Sequence, residues 1–263
     1  MELGRFSMKR VIAVANQKGG VGKTTTNVNL ATCLAQAGKR VLVVDMDPQG
    51  NTTSGFGVDK HNIETSVYNI LLGDAYLEQA AVEINGVEGL QLLPANIELS
   101  GAEIELIDME EREYKLRNVF EHAKYLYDFI LIDCPPSLNL LTLNALCAAD
   151  SILVPIQCEY YALEGLTQLM HTIELVQRKL NPRLTIEGVL FTMFDSRTNL
   201  STQVVAEVRE HLSAYTYDTI IPRNVRLSEA PSYGLPITLY AQNSKGAEAY
   251  MNLAREVIRK QGA

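Results

Sequence analysis

The chain has 263 residues, of which 47% are hydrophobic and 21% charged, and its formal net charge is -8 at pH 7. This composition supplies enough apolar residues for a sizeable core and argues against a disordered chain, and no run approaches the roughly 20 consecutive apolar residues of a membrane-spanning helix. The acidic balance disfavours attraction to DNA or acidic lipid over the whole surface, so any nucleic-acid contact would need a local basic patch.

The amino terminus shows no targeting signal. Residues 1–8 contain one arginine and no apolar core, which argues against a signal peptide. Because Met8 could itself begin the protein, we interpret residues 1–8 as a disordered remnant of cloning or an upstream start. Residues 9–260 are then expected to form one domain of a cytoplasmic protein.

Short apolar runs alternate along the chain with helix-length amphipathic segments, which is typical of βαβ units and a parallel sheet. The runs are rich in valine, isoleucine and leucine without strict alternation, as expected of strands covered on both faces. The predicted strands are Val11–Ala15, Val41–Asp45, Leu90–Leu93, Phe129–Asp133, Ile152–Ile156, Val189–Phe194 and Thr219–Ile221. We therefore expect a single α/β domain, Rossmann-like, with a mostly parallel twisted sheet and helices on both faces.

Three segments between these runs have apolar residues at helical spacing and are predicted to face the core. The stripes are Leu116, Val119, Phe120, Ala123 and Leu126; Leu163, Leu166, Met170 and Ile173; and Val204, Val205, Val208 and Leu212. Gly38 follows the first predicted helix and is expected to cap its carboxyl end.

A glycine-rich loop joins the first predicted strand to the first helix. Its sequence, Ala15-Asn-Gln-Lys-Gly-Gly-Val-Gly-Lys-Thr-Thr25, is that of a P-loop. Glycines let backbone N–H groups converge on phosphate oxygens, and a helix amino terminus adds its positive dipole. Lys23 is predicted to neutralise the β- and γ-phosphates, and Thr24 to ligate magnesium. The residues expected to bind nucleotide are Lys18, Gly19, Gly20, Val21, Gly22, Lys23, Thr24 and Thr25.

The loop departs from the usual G-x-x-x-x-G-K-[ST] pattern, because Gln17 replaces the first glycine and Lys18 is a second lysine. In these residues the chain resembles the deviant Walker A ATPases, the group that contains ParA/Soj, MinD, the nitrogenase iron protein and ArsA. The resemblance implies that Lys18 acts in catalysis by crossing a homodimer interface to the partner's phosphates. In such a dimer the two bound polyphosphates face each other, and they repel unless cations such as Lys18 lie between them. The alternative is a solvated surface lysine.

Two predicted strands end in aspartates, within Asp45-Met-Asp-Pro-Gln-Gly-Asn51 and Asp133-Cys-Pro-Pro-Ser137. Ligands of a parallel sheet bind beyond the carboxyl ends of its strands, so these carboxylates are expected near the P-loop. Asp133 is predicted to hold the magnesium shell and Asp47 to orient the attacking water. Asp45 is predicted to support the magnesium side, or else to be satisfied by local backbone N–H groups. By resemblance, these segments are switch I and switch II.

Three further stretches resemble the chromosomal ParA/Soj proteins. They are Cys158-Glu-Tyr-Tyr-Ala-Leu-Glu-Gly165, Asp195-Ser-Arg-Thr-Asn199 and Ile221-Pro-Arg-Asn-Val-Arg-Leu-Ser-Glu-Ala-Pro231. The resemblance implies that Pro222 and Asn224 flank the adenine base. It also implies a DNA-binding surface with Arg197 and Arg226, beside which Arg223 is a further candidate. Arginines on such a surface would contact DNA phosphates, and their binding would not depend on the DNA sequence.

The family resemblance implies a weak Mg²⁺-dependent ATPase that binds ATP and ADP. ATP would drive homodimerisation, and the dimer would bind double-stranded DNA non-specifically. Hydrolysis, stimulated by a ParB/Spo0J-type centromere-binding partner, would reset the cycle during segregation of a chromosome or plasmid. Such a protein would be nucleoid-associated, without a membrane partner.

Other functional classes make different demands on the sequence. A MinD-like membrane switch needs a terminal amphipathic helix, but the apolar side of residues 246–260 is expected to pack against the sheet. An electron-transfer role needs paired cysteines, whereas the four cysteines lack a CxxC spacing and are predicted to be reduced core thiols. A metabolic P-loop enzyme needs a second substrate site, and the sequence offers no candidate for one.

Overall fold

A twisted eight-stranded sheet runs through the centre of the computed structural model, which describes residues 9–123, 125–160 and 162–261. The strands are β1 (Arg10–Val14), β2 (Val41–Asp45), β3 (Val82–Glu83), β4 (Leu90–Leu93), β5 (Phe129–Asp133), β6 (Ser151–Gln157), β7 (Thr185–Phe194) and β8 (Thr216–Pro222). Their order is β3-β4-β2-β5-β1-β6-β7-β8, and the pairs are parallel except for β3 with β4. The interpretation of residues 1–8 lies outside the described residues.

Helices cover both faces of this sheet. They are α1 (Lys23–Gln36), α2 (Asn51–Gly55), α3 (Val67–Leu72), α4 (Leu77–Ala80), α5 (Leu99–Glu105), α6 (Lys115–Ala123), α7 (Leu140–Ala148), α8 (Ala162–Lys179), α9 (Asn199–Leu212), α10 (Val225–Glu229), α11 (Ile237–Tyr240) and α12 (Lys245–Gln261). Short 3-10 turns occupy Leu106–Asp108, Ser213–Tyr215 and Ala230–Tyr233. The predicted single α/β domain with a mostly parallel sheet is confirmed.

The core consists of two apolar layers, one on each face of the sheet. In β1, Val11 and Ala13 belong to the layer under α6, α7, α8 and α9, while Ile12 and Val14 belong to the layer under α1 and α12. Successive side chains of a strand point to opposite faces, and both faces are covered here. This double burial explains why the strand sequences are continuously apolar.

The predicted elements agree with the structure with two exceptions. Leu126 was predicted to face the core, but α6 ends at Ala123 and the Leu126 side chain is 49% exposed. The apolar pattern continues past the end of α6, because the chain must turn between α6 and β5. The two-residue strand β3 was not predicted, since it is too short to show a periodic pattern.

The carboxyl-terminal helix α12 packs into the core as expected. Tyr250, Leu253 and Val257 are fully buried in the layer shared with α1. The apolar side of α12 is therefore used within the chain. None of the described helices is long and apolar enough to cross a membrane.

The strand order places the predicted site residues at one edge of the sheet. β1 lies between β5 and β6, and β2 lies on the other side of β5. Val14, at the end of β1, is in register with Asp133, and Asp133 is also in register with Asp45. The P-loop and both aspartate-bearing segments thus leave the sheet side by side.

Candidate nucleotide site

The P-loop links β1 to α1 and is held against β7. Gly20 and Gly22 have φ angles of 74° and 91°, in the left-handed region that favours glycine. Gly22 immediately precedes α1, and the carbonyl of Val21 accepts a hydrogen bond from the Thr192 hydroxyl at 2.8 Å. The loop conformation therefore depends on its glycines and on a tertiary contact from β7.

Lys23 lies in the site as the first residue of α1 and is only 7% exposed. Its Nζ donates to the backbone carbonyl of Lys18 at 3.1 Å. Burial lowers the pKa of Lys23, and the negative charge of Asp133 opposes that shift. A desolvated amine with one backbone acceptor is well suited to binding an anion such as a phosphate.

Asp133 is hydrogen-bonded to Thr24, another predicted metal-binding residue, and to two further polar side chains. Its Oδ2 accepts hydrogen bonds from the hydroxyls of Thr24 at 2.7 Å and Thr52 at 2.6 Å, and its Oδ1 accepts from the Asn27 amide at 2.9 Å. Burial raises the pKa of Asp133 to about 6, against the effect of the Thr52 and Thr24 hydrogen bonds. Thr52 and Asn27 were not singled out from the sequence.

Asp45 is fully buried and anchors the segment that follows β2. Its Oδ2 accepts from the backbone N–H of Thr53 at 2.9 Å and from the Thr53 hydroxyl at 2.7 Å, and its Oδ1 accepts from the N–H of Asp47 at 3.2 Å. Burial, and next the charge of Asp133, raises the pKa of Asp45 to about 7. These contacts match the alternative in which local groups satisfy this carboxylate. Its support of a metal stays a prediction.

A cavity of about 920 Å³ opens between the P-loop and the two switch segments. Its lining residues include Gly19, Gly20, Gly22, Lys23, Thr24, Thr25, Asp47, Gln49, Pro135, Ser137, Met193 and Pro231. The Oδ1 of Asp47 accepts the N–H of Gln49 at 2.9 Å, which fixes that carboxylate at the cavity wall. Asp47 and the P-loop thus face the same space.

Two of the residues predicted to bind nucleotide, Lys18 and the buried Val21, do not line the cavity. The Nζ of Lys18 donates to Glu159 Oε2 at 3.2 Å. The side chain is 39% exposed. The two lysines of one loop therefore have different surroundings, Lys23 inside the cavity and Lys18 outside it.

The side-chain oxygens of Thr24 and Asp133 are suitable ligands for magnesium. Hydroxyl and carboxylate oxygens are ligands that this ion accepts, directly or through water. The two side chains already meet at 2.7 Å, and burial raises the pKa of the Asp133 carboxyl, so a cation at this position would stabilise its ionised form. The four cysteines, in contrast, are buried and unpaired, as predicted.

The residues predicted to flank adenine lie apart from this cavity lining. Pro222 ends β8 in register with Phe194 and faces a separate cleft beside α12. Asn224 accepts the N–H of Arg226 at 2.9 Å and caps α10. The adenine roles of Pro222 and Asn224 remain predictions. Met193, which no sequence pattern indicated, lines the cavity beside the P-loop with a φ of 51°, unusual for a residue other than glycine.

The three predicted DNA-binding arginines are all exposed. The guanidinium of Arg197 donates two hydrogen bonds to Asp195, at 2.9 and 2.7 Å, and that of Arg226 donates to Glu229 at 2.8 Å. Arg223 donates its backbone N–H to Phe194 at 2.9 Å. Two of the guanidinium groups are thus paired with carboxylates of their own chain, and the DNA-binding role of the three arginines remains a prediction.

The chain is similar to known proteins over most of its length. A family model described as an AAA domain matches residues 9–186. The chain is 58% identical over 250 residues to the sporulation initiation inhibitor protein Soj of Bacillus subtilis, covering 95% of this chain and 98% of that protein. It is 53% identical over 259 residues to the chromosome partitioning protein ParA of Myxococcus xanthus, covering 98% and 91%.

Solved structures show the same fold. A Mycobacterium smegmatis protein described as cobyrinic acid a,c-diamide synthase, with bound ADP and magnesium, has 41% identity and a TM-score of 0.83 over 97% of this chain and 96% of that one. The cell division ATPase MinD of Pyrococcus furiosus has 28% identity and a TM-score of 0.81, covering 96% and 100%. From its identity with Soj and ParA over nearly the whole of each chain, the protein belongs to the ParA/Soj family of chromosome-partitioning P-loop ATPases.

Proposed function

We propose that this protein is a weak Mg²⁺-dependent ATPase that dimerises with ATP, binds DNA non-specifically and segregates a chromosome or plasmid with a ParB-type partner. The observation that carries the proposal is the contrast between two lysines of one loop. Lys23 lines the cavity, whereas Lys18 lies outside it with an exposed side chain. A cation placed in this way would reach a second molecule after leaving the carboxylate of Glu159.

Within one chain, the cavity residues account for ATP or ADP binding. Phosphate oxygens would replace the Lys18 carbonyl as acceptors for the Lys23 amine, and the loop N–H groups would surround the phosphates. Thr24 and Asp133 would hold magnesium, which supplies charge neutralisation when bound. Asp47, fixed through Gln49, would orient the attacking water with its other carboxylate oxygen.

The proposed dimerisation depends on the charges of the two opposed nucleotide sites. Two chains that each carry a net charge of -8 and a bound triphosphate repel each other. Lys18 from each chain, set against the other chain's phosphates, would reverse that repulsion locally. ATP would then be part of the interface, and its hydrolysis would weaken the dimer.

DNA binding by this acidic chain requires a local patch. Arg197, Arg223 and Arg226 are exposed near the carboxyl end of β8 and the loop after β7. A dimer presents two such patches, so the second binds at a high effective concentration. Phosphate contacts of this kind would be independent of sequence and strongly weakened by salt. The protein would accordingly associate with the nucleoid.

Sizing chromatography tests the central claim. The protein should elute as a single chain without nucleotide or with ADP, and as a dimer with ATP and magnesium. Added plasmid DNA should shift the ATP form alone to the void volume. Elution as a single chain at saturating ATP would overturn the proposal.

The membrane-switch alternative has less support. It requires a free apolar face on α12, whereas Tyr250, Leu253 and Val257 of that helix are buried in the core. Sedimentation with anionic liposomes, with and without ATP, distinguishes the two functions, and we expect the protein to remain in the supernatant.

A further inference from the structure

We propose that Glu159 is a positioning residue that holds Lys18 on its own chain until two ATP-bound chains meet. The inference rests on the proposed function, since it concerns the release of Lys18 for a partner molecule. Glu159 would set the threshold for dimerisation without taking part in ATP hydrolysis itself.

The ion pair between the two side chains is the first observation. Lys18 Nζ lies 3.2 Å from Glu159 Oε2, and both side chains are partly exposed, at 39% and 46%. A lysine that must reach a second molecule's phosphates is thus directed toward a carboxylate of its own chain. The amine has to leave this carboxylate before it can bind elsewhere.

The second observation is that both partners are fixed to the carboxyl end of β6. On the lysine side, Asn16 donates its amide to the Pro155 carbonyl at 2.8 Å and accepts the N–H of Lys18 at 2.9 Å. On the other side, Gln157 bonds Glu159 through its side chain at 2.5 Å and through its carbonyl at 2.8 Å. These bonds preorganise the pair, so little conformational entropy is lost when it forms.

The third observation connects the ion pair with the nucleotide cavity. The carbonyl oxygen of Lys18 accepts the Nζ of Lys23 at 3.1 Å. Phosphate in the cavity would take that amine for itself and release the Lys18 backbone. Nucleotide binding would therefore remove one hydrogen bond from the Lys18 backbone, and the partner's phosphates would complete the transfer of the Lys18 amine from Glu159.

The expected effect of the Lys18–Glu159 ion pair on dimerisation is large enough to set a threshold. Exposed ion pairs change an equilibrium by up to about fivefold. Formation of a symmetric dimer breaks two of them, so the combined effect reaches about 25-fold on the dimerisation constant. That effect can tune dimerisation without preventing it.

Glu159→Gln, which keeps the side-chain shape but removes the charge, and Glu159→Ala, which removes the acceptor, provide the test. Analytical ultracentrifugation at saturating ATP and magnesium should show dimerisation at protein concentrations up to about 25-fold lower than for the unchanged protein. Glu174→Gln is the matched control, because it removes the same charge from the exposed Glu174–Arg178 pair on α8. Nucleotide affinity of the single chain should stay within about fivefold of that of the unchanged protein in all three variants, since that is the most the ion pair can contribute.

A second measurement does not depend on dimerisation. In nucleotide-free protein, the rate at which an acetylating reagent modifies Lys18, followed by mass spectrometry, should rise up to about fivefold in Glu159→Gln. An unchanged rate would mean that the ion pair does not hold the amine. Dimerisation of Glu159→Gln that is unchanged relative to Glu174→Gln, or weaker, would overturn the positioning role even if the rate rises.

Combining Glu159→Gln with Lys18→Ala checks that Glu159 acts through Lys18. The double variant should behave like Lys18→Ala alone, and any additional effect would contradict the proposal. If the unchanged protein stays a single chain with ATP, the proposed function itself fails. The labelling rate then still reports separately whether Glu159 restrains Lys18.

Discussion

Asp45 and Asp133 lie opposite each other in the register of β2 and β5, and both carboxyl groups are buried. Burial raises the pKa of Asp45 to about 7 and that of Asp133 to about 6, and the charge of Asp133 adds to the shift at Asp45. Two adjacent buried carboxylates without enough compensating charge favour binding of a cation. Lys23 supplies part of that charge, and magnesium held at Thr24 and Asp133 would supply more.

The nucleotide-free protein should therefore lose stability as pH rises from 5 to 8. Both carboxyl groups have folded-state pKa values above their ordinary value of 3.8, so the folded state binds more protons than the unfolded state in this window. While a folded carboxyl stays protonated, each unit of rising pH lowers the free energy of unfolding by about 1.4 kcal/mol per group. The stabilisation is present at low pH and is lost as pH rises through the folded-state values of about 6 and 7.

Urea unfolding at fixed temperature measures this dependence. Asp133→Asn keeps acceptor and donor atoms for Asn27 and the threonine hydroxyls but removes the titrating group, so its stability should fall less with pH. Equal slopes for the variant and the unchanged protein would contradict the assignment.

Lys18→Ala should bind ATP but fail to dimerise. The phosphate cavity does not include Lys18, so its removal leaves the single-chain site in place. Loss of the interposed cation leaves buried phosphate charge unpaired, which costs about 3–5 kcal/mol per site. Equilibrium dialysis with ATP and light scattering measure the two properties. Lys179→Ala, on the exposed surface of α8, is the control. A normal ATP dimer of Lys18→Ala would show that this lysine has no role across the interface.

Much of the fold could be predicted from sequence because buried parallel strands are continuous apolar runs. β2, β4 and β5 have the predicted bounds, and their neighbours differ by a few residues at the ends. The P-loop and the strand-end aspartates were also placed correctly, since their positions follow from strand ends alone. The short edge strand β3 left no periodic signal.

The remaining site residues could not be predicted because they meet through tertiary packing. Thr52, Thr53 and Asn27 are ordinary helix residues in sequence, yet their side chains bind Asp133 and Asp45. Only the asparagine offered a signal, because it lies one helical turn after Lys23 and therefore faces the same side as that lysine. Glu159 is 141 positions from Lys18, so no local pattern connects them.

Asp47→Ala should keep ATP-dependent dimerisation but hydrolyse ATP more slowly, by about 10²- to 10⁴-fold. The carboxylate lies at the cavity wall and is held through Gln49, whereas the loop anchor is the separate carboxylate of Asp45. Phosphate release under single-turnover conditions measures the rate, and sizing chromatography measures the dimer. Asp59→Ala, at an exposed site in the following loop, is the control. A variant that hydrolyses ATP at the normal rate would exclude Asp47 as the group that orients water.

Arg226→Glu should weaken DNA binding while ATP-dependent dimerisation persists. The guanidinium is exposed and paired at 2.8 Å with Glu229, so a DNA phosphate can replace that carboxylate as its acceptor. A dimer loses two phosphate contacts, and the slope of log affinity against log salt should fall by about 2. Arg178→Glu reverses the same charge in an exposed ion pair on α8 and should leave DNA binding nearly unchanged. Filter binding of duplex DNA at several salt concentrations measures both variants. If Arg226→Glu and Arg178→Glu lower affinity equally, net charge accounts for the effect and Arg226 does not contact DNA.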